Sequence, residues 1–188
     1  MKQWFALSAI GRDRPGIVAD LAELIFECDC NLEDSSMTLL GGEFAVLLLL
    51  SGRSPDCQQR LSAACKRLEW EKRLTVFFRP LEEEPLPYGA NDETRSYELV
   101  ATGVDKAGIV ARVARCLAEQ GVNIVHMQTS VQPEPGHGTV IYHMRITLAV
   151  PSDVAETVLR DQLDRIADDL RIHIDLTASV SRETRRTA

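Results

Sequence analysis

Long apolar runs, paired metal-type cysteines, catalytic signatures and surplus positive charge are all missing from this 188-residue chain. Its longest uninterrupted apolar run, Phe44 to Leu50, falls far short of the roughly 20 residues a membrane-spanning helix needs. The opening Met1-Lys2-Gln3-Trp4 leads into strand-like sequence without the apolar stretch of a signal peptide, so no secretory leader is expected. The 21 basic residues are outnumbered by 28 acidic ones, for a net charge of −7. Such a surface repels phosphate backbones and disfavours direct DNA or RNA binding. Five cysteines (Cys28, Cys30, Cys57, Cys65 and Cys116) are odd in number and contain no C-x-x-C pairs. They are expected to be reduced thiols in a cytoplasmic protein. No Gly-x-Ser-x-Gly elbow, phosphate loop or His-Glu-x-x-His occurs, so neither an enzyme nor a bound cofactor or metal is expected.

What is present is a globular composition, 45% hydrophobic and 26% charged, with enough apolar material for a core. An internal repeat organises it. Shifted by 92 positions, Leu7, Ala9, Gly11, Asp13, Gly16, Ile17, Val18, Ala19, Ala22, Glu27 and Asn31 meet identical residues, from Leu99 through to Asn123, without a gap. The chain is thus two copies of one unit, expected at residues 1–80 and 96–180. Between them, at 81–95, lies a Pro/Glu-rich extended linker, and 181–188 form a basic tail.

Both copies follow one element order. Trp4 to Ile10 and Tyr97 to Thr102 read as strands. Pro15 at a first helical turn precedes an apolar stripe of Ile17, Val18, Leu21, Leu24 and Ile25. Leu32 to Leu40 meets Phe44 to Leu50 through Gly41-Gly42, the chemistry of a tight hairpin. Ser54-Pro55-Asp56 opens a helix with Leu61, Cys65 and Leu68 on one face, and Leu74 to Phe78 closes the unit as a strand. Copy two has strands at Ile124 to Val131 and Thr139 to Val150 around a turn at Pro133 to Gly138. Its helix opens at Ser152-Asp153 and carries Val154, Val158, Ile166 and Leu170, before a strand from Arg171 to Val180. The expected class is α+β: two ferredoxin-like βαββαβ units, each an antiparallel sheet with two helices on one face.

The corner Gly11-Arg12-Asp13-Arg14-Pro15-Gly16-Ile17, echoed as Gly103-Val104-Asp105-Lys106-Ala107-Gly108-Ile109, places a helix N-terminus beside residues without bulk. Free backbone N–H groups and the helix dipole suit a carboxylate there. Asp13 and Asp105 sit where a side chain could cap those donors, in which case the corner is simply a tight turn. Asn31 and Asn123 each lie 18 residues after their aspartate. Either one offers a donor and an acceptor to a small zwitterion, or it takes a left-handed conformation to end the helix.

The Asp-x-x-Gly-Ile-Val corner, the asparagine before the second strand and the βαββαβ order resemble ACT domains, regulatory modules that bind small ligands, usually amino acids. The resemblance implies a ligand where two ACT units meet, held by the corner of one and a strand of its neighbour. It nominates Asp13, Arg14, Pro15, Gly16, Ile17 and Asn31, together with Asp105, Lys106, Ala107, Gly108, Ile109 and Asn123. Two copies with no attached enzyme further resemble free-standing members that regulate transcription. That implies a response to a small amino acid, glycine foremost, relayed through a transcription-factor partner, with assembly of two or more chains an option. A ligand-independent interaction module and a regulatory subunit of a separate enzyme remain alternatives.

Other signals carry less. Cys28-x-Cys30 at a helix end could hold a soft ion, but copy two has Gln120 and Val122 there, and small buried residues are the plainer reading. His126 and His143 fall on neighbouring strands without a third ligand. Phe44 to Leu50 is apolar on both faces, whereas Ile141 to Thr147 alternates, so the open face of copy one is expected to be covered by copy two, a second chain or a partner.

Overall fold

The computed structural model describes residues 2–85, 94–104, 106–133 and 140–179. Two compact units result, Met1–Pro87 and Tyr88–Ala188. Unit 1 runs β1 (Gln3–Arg12), α1 (Ile17–Glu27), β2 (Cys30–Leu40), β3 (Glu43–Gly52), α2 (Cys57–Lys72) and β4 (Thr75–Leu81). Unit 2 repeats it with β5 (Thr94–Val104), α3 (Ile109–Glu119), β6 (Asn123–Pro133), β7 (Val140–Pro151), α4 (Glu156–Leu170) and β8 (Ile172–Ala178). The sheets are antiparallel with strand orders β2-β3-β1-β4 and β6-β7-β5-β8. This is the ferredoxin-like α+β arrangement expected for each copy. The linker residues 86–93, the turn residues 134–139 and the tail from 180 onward lie outside the described residues. Pro80 and Leu81 belong to β4, an edge strand where a missing N–H is tolerated.

Each core is the alternate half of the strands under two helices. In unit 1, Phe5, Leu7 and Ala9 of β1 and Phe44, Leu48 and Leu50 of β3 are buried beneath Ile17, Leu21, Leu24 and Ile25 of α1 and Leu61, Cys65 and Leu68 of α2. Unit 2 stacks Tyr97, Leu99 and Ala101 with Met144, Ile146 and Leu148 under Ile109, Val113 and Leu117 of α3 and Leu159 and Leu163 of α4. Each such Leu or Phe contributes roughly 1.5–3 kcal/mol by leaving water. Two stripe residues are misplaced by the periodicity. Val18 is 52% exposed and Val158 46% exposed, while Leu159 beside the latter is fully buried. One residue turns a helix by about 100°, so a neighbouring apolar residue leaves the core face.

Gly41 and Gly42 make the two-residue turn between β2 and β3 with φ of 61° and 87°. Positive φ at both centres is what such a hairpin requires. The helices of both units begin on Gly16 and Gly108, with φ of 88° and 96°. Pro15 therefore precedes α1 rather than sitting in its first turn. Residues ending α1 and α3 in the left-handed region are Asp29 and Gly121, repeat-equivalent positions two before the asparagines. Asn31 and Asn123 are strand residues, so the helix-stopping role considered for them falls to their neighbours.

The apolar third strand of unit 1 sends Phe44, Val46, Leu48 and Leu50 to the core. Ala45, Leu47 and Leu49 take the face away from the helices, where Leu47 is 57% exposed. The matching positions of β7 are His143, Arg145 and Thr147, polar as a solvated face demands. Leu48→Asp should cost about 4 kcal/mol or more by burying an unpaired carboxylate, whereas Leu49→Asp should leave the fold intact. Urea midpoints of the two variants check the face assignment; equal losses would contradict it.

Candidate functional site

The β1–α1 corner is built without a side-chain cap. Gly16 is the N-cap residue of α1 and Gly108 that of α3, and neither helix has a side-chain hydrogen bond at its cap. Asp13 is exposed and is held by its backbone, its N–H donating to the Gly42 carbonyl at 3.0 Å. That bond ties the corner to the β2–β3 hairpin. Asp13 is thus not the cap its position suggested; Asp105 lies outside the described residues. The Ile17 N–H donates to the Arg14 carbonyl at 3.4 Å, and with no side-chain cap in place the remaining first-turn N–H groups stay available to water or to a ligand anion. Ile17 is buried and anchors the helix start, as does Ile109. Pro15 and Ala107 are exposed on the loop.

The two corners differ in their cations. Arg14 hydrogen-bonds Asp20 of α1, which Lys72 of α2 also approaches at 3.1 Å. Arg14 first and Lys72 second hold the Asp20 carboxyl below the usual range. Lys106 instead donates to the Leu170 carbonyl at the end of α4 at 3.1 Å. One corner spends its cation on an ion pair and the other on a helix C-terminus.

The asparagines are elsewhere. Asn31 pairs across β3 with Ser51, which pairs with Trp4 at the beginning of β1, whereas the corner follows Arg12 at its end. Eight strand positions separate the two ends, roughly 27 Å of extended chain. Asn123, paired with Ala149 and through it with Ser96, stands equally far from the corner after Val104. Within one unit the structure therefore does not bring Asp13 to Gly16 together with Asn31, or Lys106 to Ile109 with Asn123.

Sequence reasoning missed the surroundings of Asn31. A β-bulge interrupts the β2–β3 register between Leu32 and Asp34, and its repeat lies between Ile124 and His126. The extra residues are Glu33 and Val125. Bulges re-aim side chains, and here Glu33 accepts hydrogen bonds from the buried Ser51 hydroxyl and from the Asn31 amide, and an ion pair from Lys2 at 2.9 Å. Ser51 first, then Lys2 and Asn31, bring the Glu33 carboxyl down to about 2. Lys2 also lies 4.0 Å over the Trp4 ring. Lys2, Asn31, Glu33 and Ser51 line a cavity of about 570 Å³ together with Cys30, Gly52 and Arg53. Unit 2 has Val125 and Ala149 at the places of Glu33 and Ser51, so this network belongs to unit 1.

Among the described residues no group of three or more His, Cys, Asp or Glu side chains is gathered as a metal site. His126 faces Thr147, and His143 faces Ser130 four strand positions away. No helix among those residues is long and apolar enough to cross a membrane.

Comparison with known proteins decides the family. Residues 3–79 match one ACT domain model and residues 97–167 another. The chain is a tandem ACT-domain protein. The ACT tandem is 25% identical to the glycine cleavage system transcriptional repressor of Escherichia coli K12 over 151 residues, spanning 80% of this chain and 77% of the relative. Among solved structures, an uncharacterised protein from Galdieria sulphuraria is 30% identical with a TM-score of 0.77, covering 96% of this chain and all of its own. A second structure, carrying the working description of a glycine cleavage system transcriptional repressor, is 23% identical with a TM-score of 0.71 over 94% and 97% of the two chains, a likeness of fold.

Two outcomes follow from this geometry. No described atom lies within 4 Å of where a Gly108 Cβ would point, so Gly108→Ala should cost only the left-handed backbone penalty, about 1–2 kcal/mol, read as a urea-midpoint shift. Glu33 has a folded value of about 2 against an ordinary 4.5. Its contribution is therefore full above about pH 4.5 and lost as pH falls toward 2. Glu33→Gln should be less stable than wild type at neutral pH, with the gap closing across that acid window. A pH-independent gap would contradict the network.

Proposed function

We propose that this ACT tandem is a non-catalytic, cytoplasmic regulator that represses the glycine cleavage system in response to a small amino acid, glycine foremost, through a transcription-factor partner rather than by touching DNA. The observation that carries the reading is the pair of uncapped helix N-termini behind Gly16 and Gly108, joined to the E. coli relative's role as a transcriptional repressor. A carboxylate ligand accepts from the first-turn N–H groups of α1 or α3, where Asp13, Arg14 and Pro15, or Lys106 and Ala107, form the rim and Ile17 or Ile109 the apolar floor. The amide of an asparagine meets the ligand's polar remainder. Because corner and asparagine stand at opposite ends of a unit, the asparagine in this reading comes from another copy of the chain. Binding then biases how chains associate, since a ligand shifts an equilibrium only through its differential affinity for two states. The net charge of −7 supports a protein partner over direct contact with DNA.

Thermal unfolding with each common amino acid tests the ligand. At about 100 times its dissociation constant a ligand adds roughly 2.7 kcal/mol, a midpoint rise on the order of 10 °C. Glycine should give that rise, and the double variant Asn31→Ala/Asn123→Ala should abolish it. A flat panel would make the tandem a ligand-independent interaction module.

A further inference from the structure

Gly52 ends β3 opposite Cys30, the first residue of β2. A Cβ at this position would lie 2.6 Å from the Cys57 Sγ and 3.2 Å from the Cys30 Sγ. Both separations are shorter than a comfortable carbon–sulfur contact. The two sulfurs therefore converge on the space above one α-carbon, and glycine is what leaves that space open. Cys57 begins α2 and is fully buried, while Cys30 is half-buried and lines the cavity beside Lys2 and Arg53. The two thiols are close enough to act on one another electrostatically. Cys57 also donates to the Gln3 side-chain oxygen at 3.2 Å, and Cys30 to the Cys28 carbonyl at 3.5 Å. In unit 2 the positions of Cys28 and Cys30 hold Gln120 and Val122, so the arrangement is not a requirement of the fold.

We propose that Cys30 and Cys57 form an oxidisable dithiol pair, a modification site closed by low-molecular-weight disulfides such as oxidised glutathione. Cys30, reached from the cavity, gives its proton to solvent and attacks one sulfur of the incoming disulfide. A mixed disulfide forms and one small thiolate leaves. Cys57 then loses its proton and attacks the Cys30 sulfur. The Cys30–Cys57 bond forms as the second small thiolate departs. The protein loses two electrons and two protons, and the co-reactant takes both up as two thiols.

The environment sets the tempo. Burial first, then the neighbouring Cys57 and Cys28, push the Cys30 thiol up to about 12. Exchange is therefore slow at neutral pH and quickens about tenfold per pH unit as the thiolate fraction grows. A sulfur that is a reluctant thiolate is also a poor leaving group, so the closed bond reopens slowly. The bond would fasten the first residue of β2 to the first of α2, next to Asn31. Any effect on ligand binding through Asn31 rests on the regulator reading; the cross-link does not.

The full chain is incubated with oxidised glutathione at about pH 7.5 and about pH 8.5, the remaining thiols are alkylated in urea, and the digest is mapped by mass spectrometry. A Cys30–Cys57 peptide should be the main product, with an initial rate about tenfold higher at the upper pH. Cys116→Ser should leave it unchanged, and Cys30→Ser, at a half-exposed position, should abolish it. Gly52→Ala should lower the yield by parting the sulfurs. Recovery of both cysteines alkylated, a Cys28–Cys30 bond, or glutathione stably retained on Cys30 would overturn the proposal.

Discussion

Each sheet of this protein buries only one face. Two helices cover that face, so the inner strands β1 and β3, or β5 and β7, alternate and carry the core through Phe5, Leu7 and Phe44 or Tyr97, Leu99 and Met144, while β2 and β6 at the sheet edges bury none of their residues. The rest follows from this one-sided burial. The helix must start close over the sheet end, and the chain turns sharply into it through a left-handed glycine, which leaves a bare helix N-terminus. The opposite end of the sheet, where β2 begins, is freed for other chemistry, and there unit 1 places Glu33, Ser51 and its thiols.

Much of this was legible because it is local or periodic. Gly41-Gly42 encodes its own turn, and the repeat of the corner reports the second unit without any knowledge of packing. The errors have equally local causes. Val18 and Val158 are apolar and lie one residue from core positions, which a stripe of mixed spacing does not separate. Asp13 looked like a cap because its type favours capping, yet the helix starts three residues later on Gly16. The spacing from Asp13 to Asn31 counts residues along a helix that returns to the far end of the sheet, so a constant separation in sequence conceals about 27 Å of strand. Nothing in the sequence marks the bulge that turns Glu33 toward Ser51, because a bulge is a property of register between two strands.

The two copies have diverged on their surfaces while retaining one core plan. Leu47 stands where unit 2 has Arg145, Glu33 where it has Val125, and Cys30 where it has Val122. Each exchange leaves the alternation intact and changes what the unit presents outward. Arg14 and Lys106 find different partners at otherwise matching corners. The two corners thus share a helix that starts on a left-handed glycine and differ in the partner of the cation beside it.

Amide chemical shifts on titration with glycine test the central claim most directly, because they locate a ligand residue by residue. Binding at the bare helix ends predicts that the largest changes fall on Gly16 to Ala19 or Gly108 to Ala111, together with the side-chain amide of Asn31 or Asn123. Shifts confined to other parts of the two units, or none at saturating glycine, would contradict it.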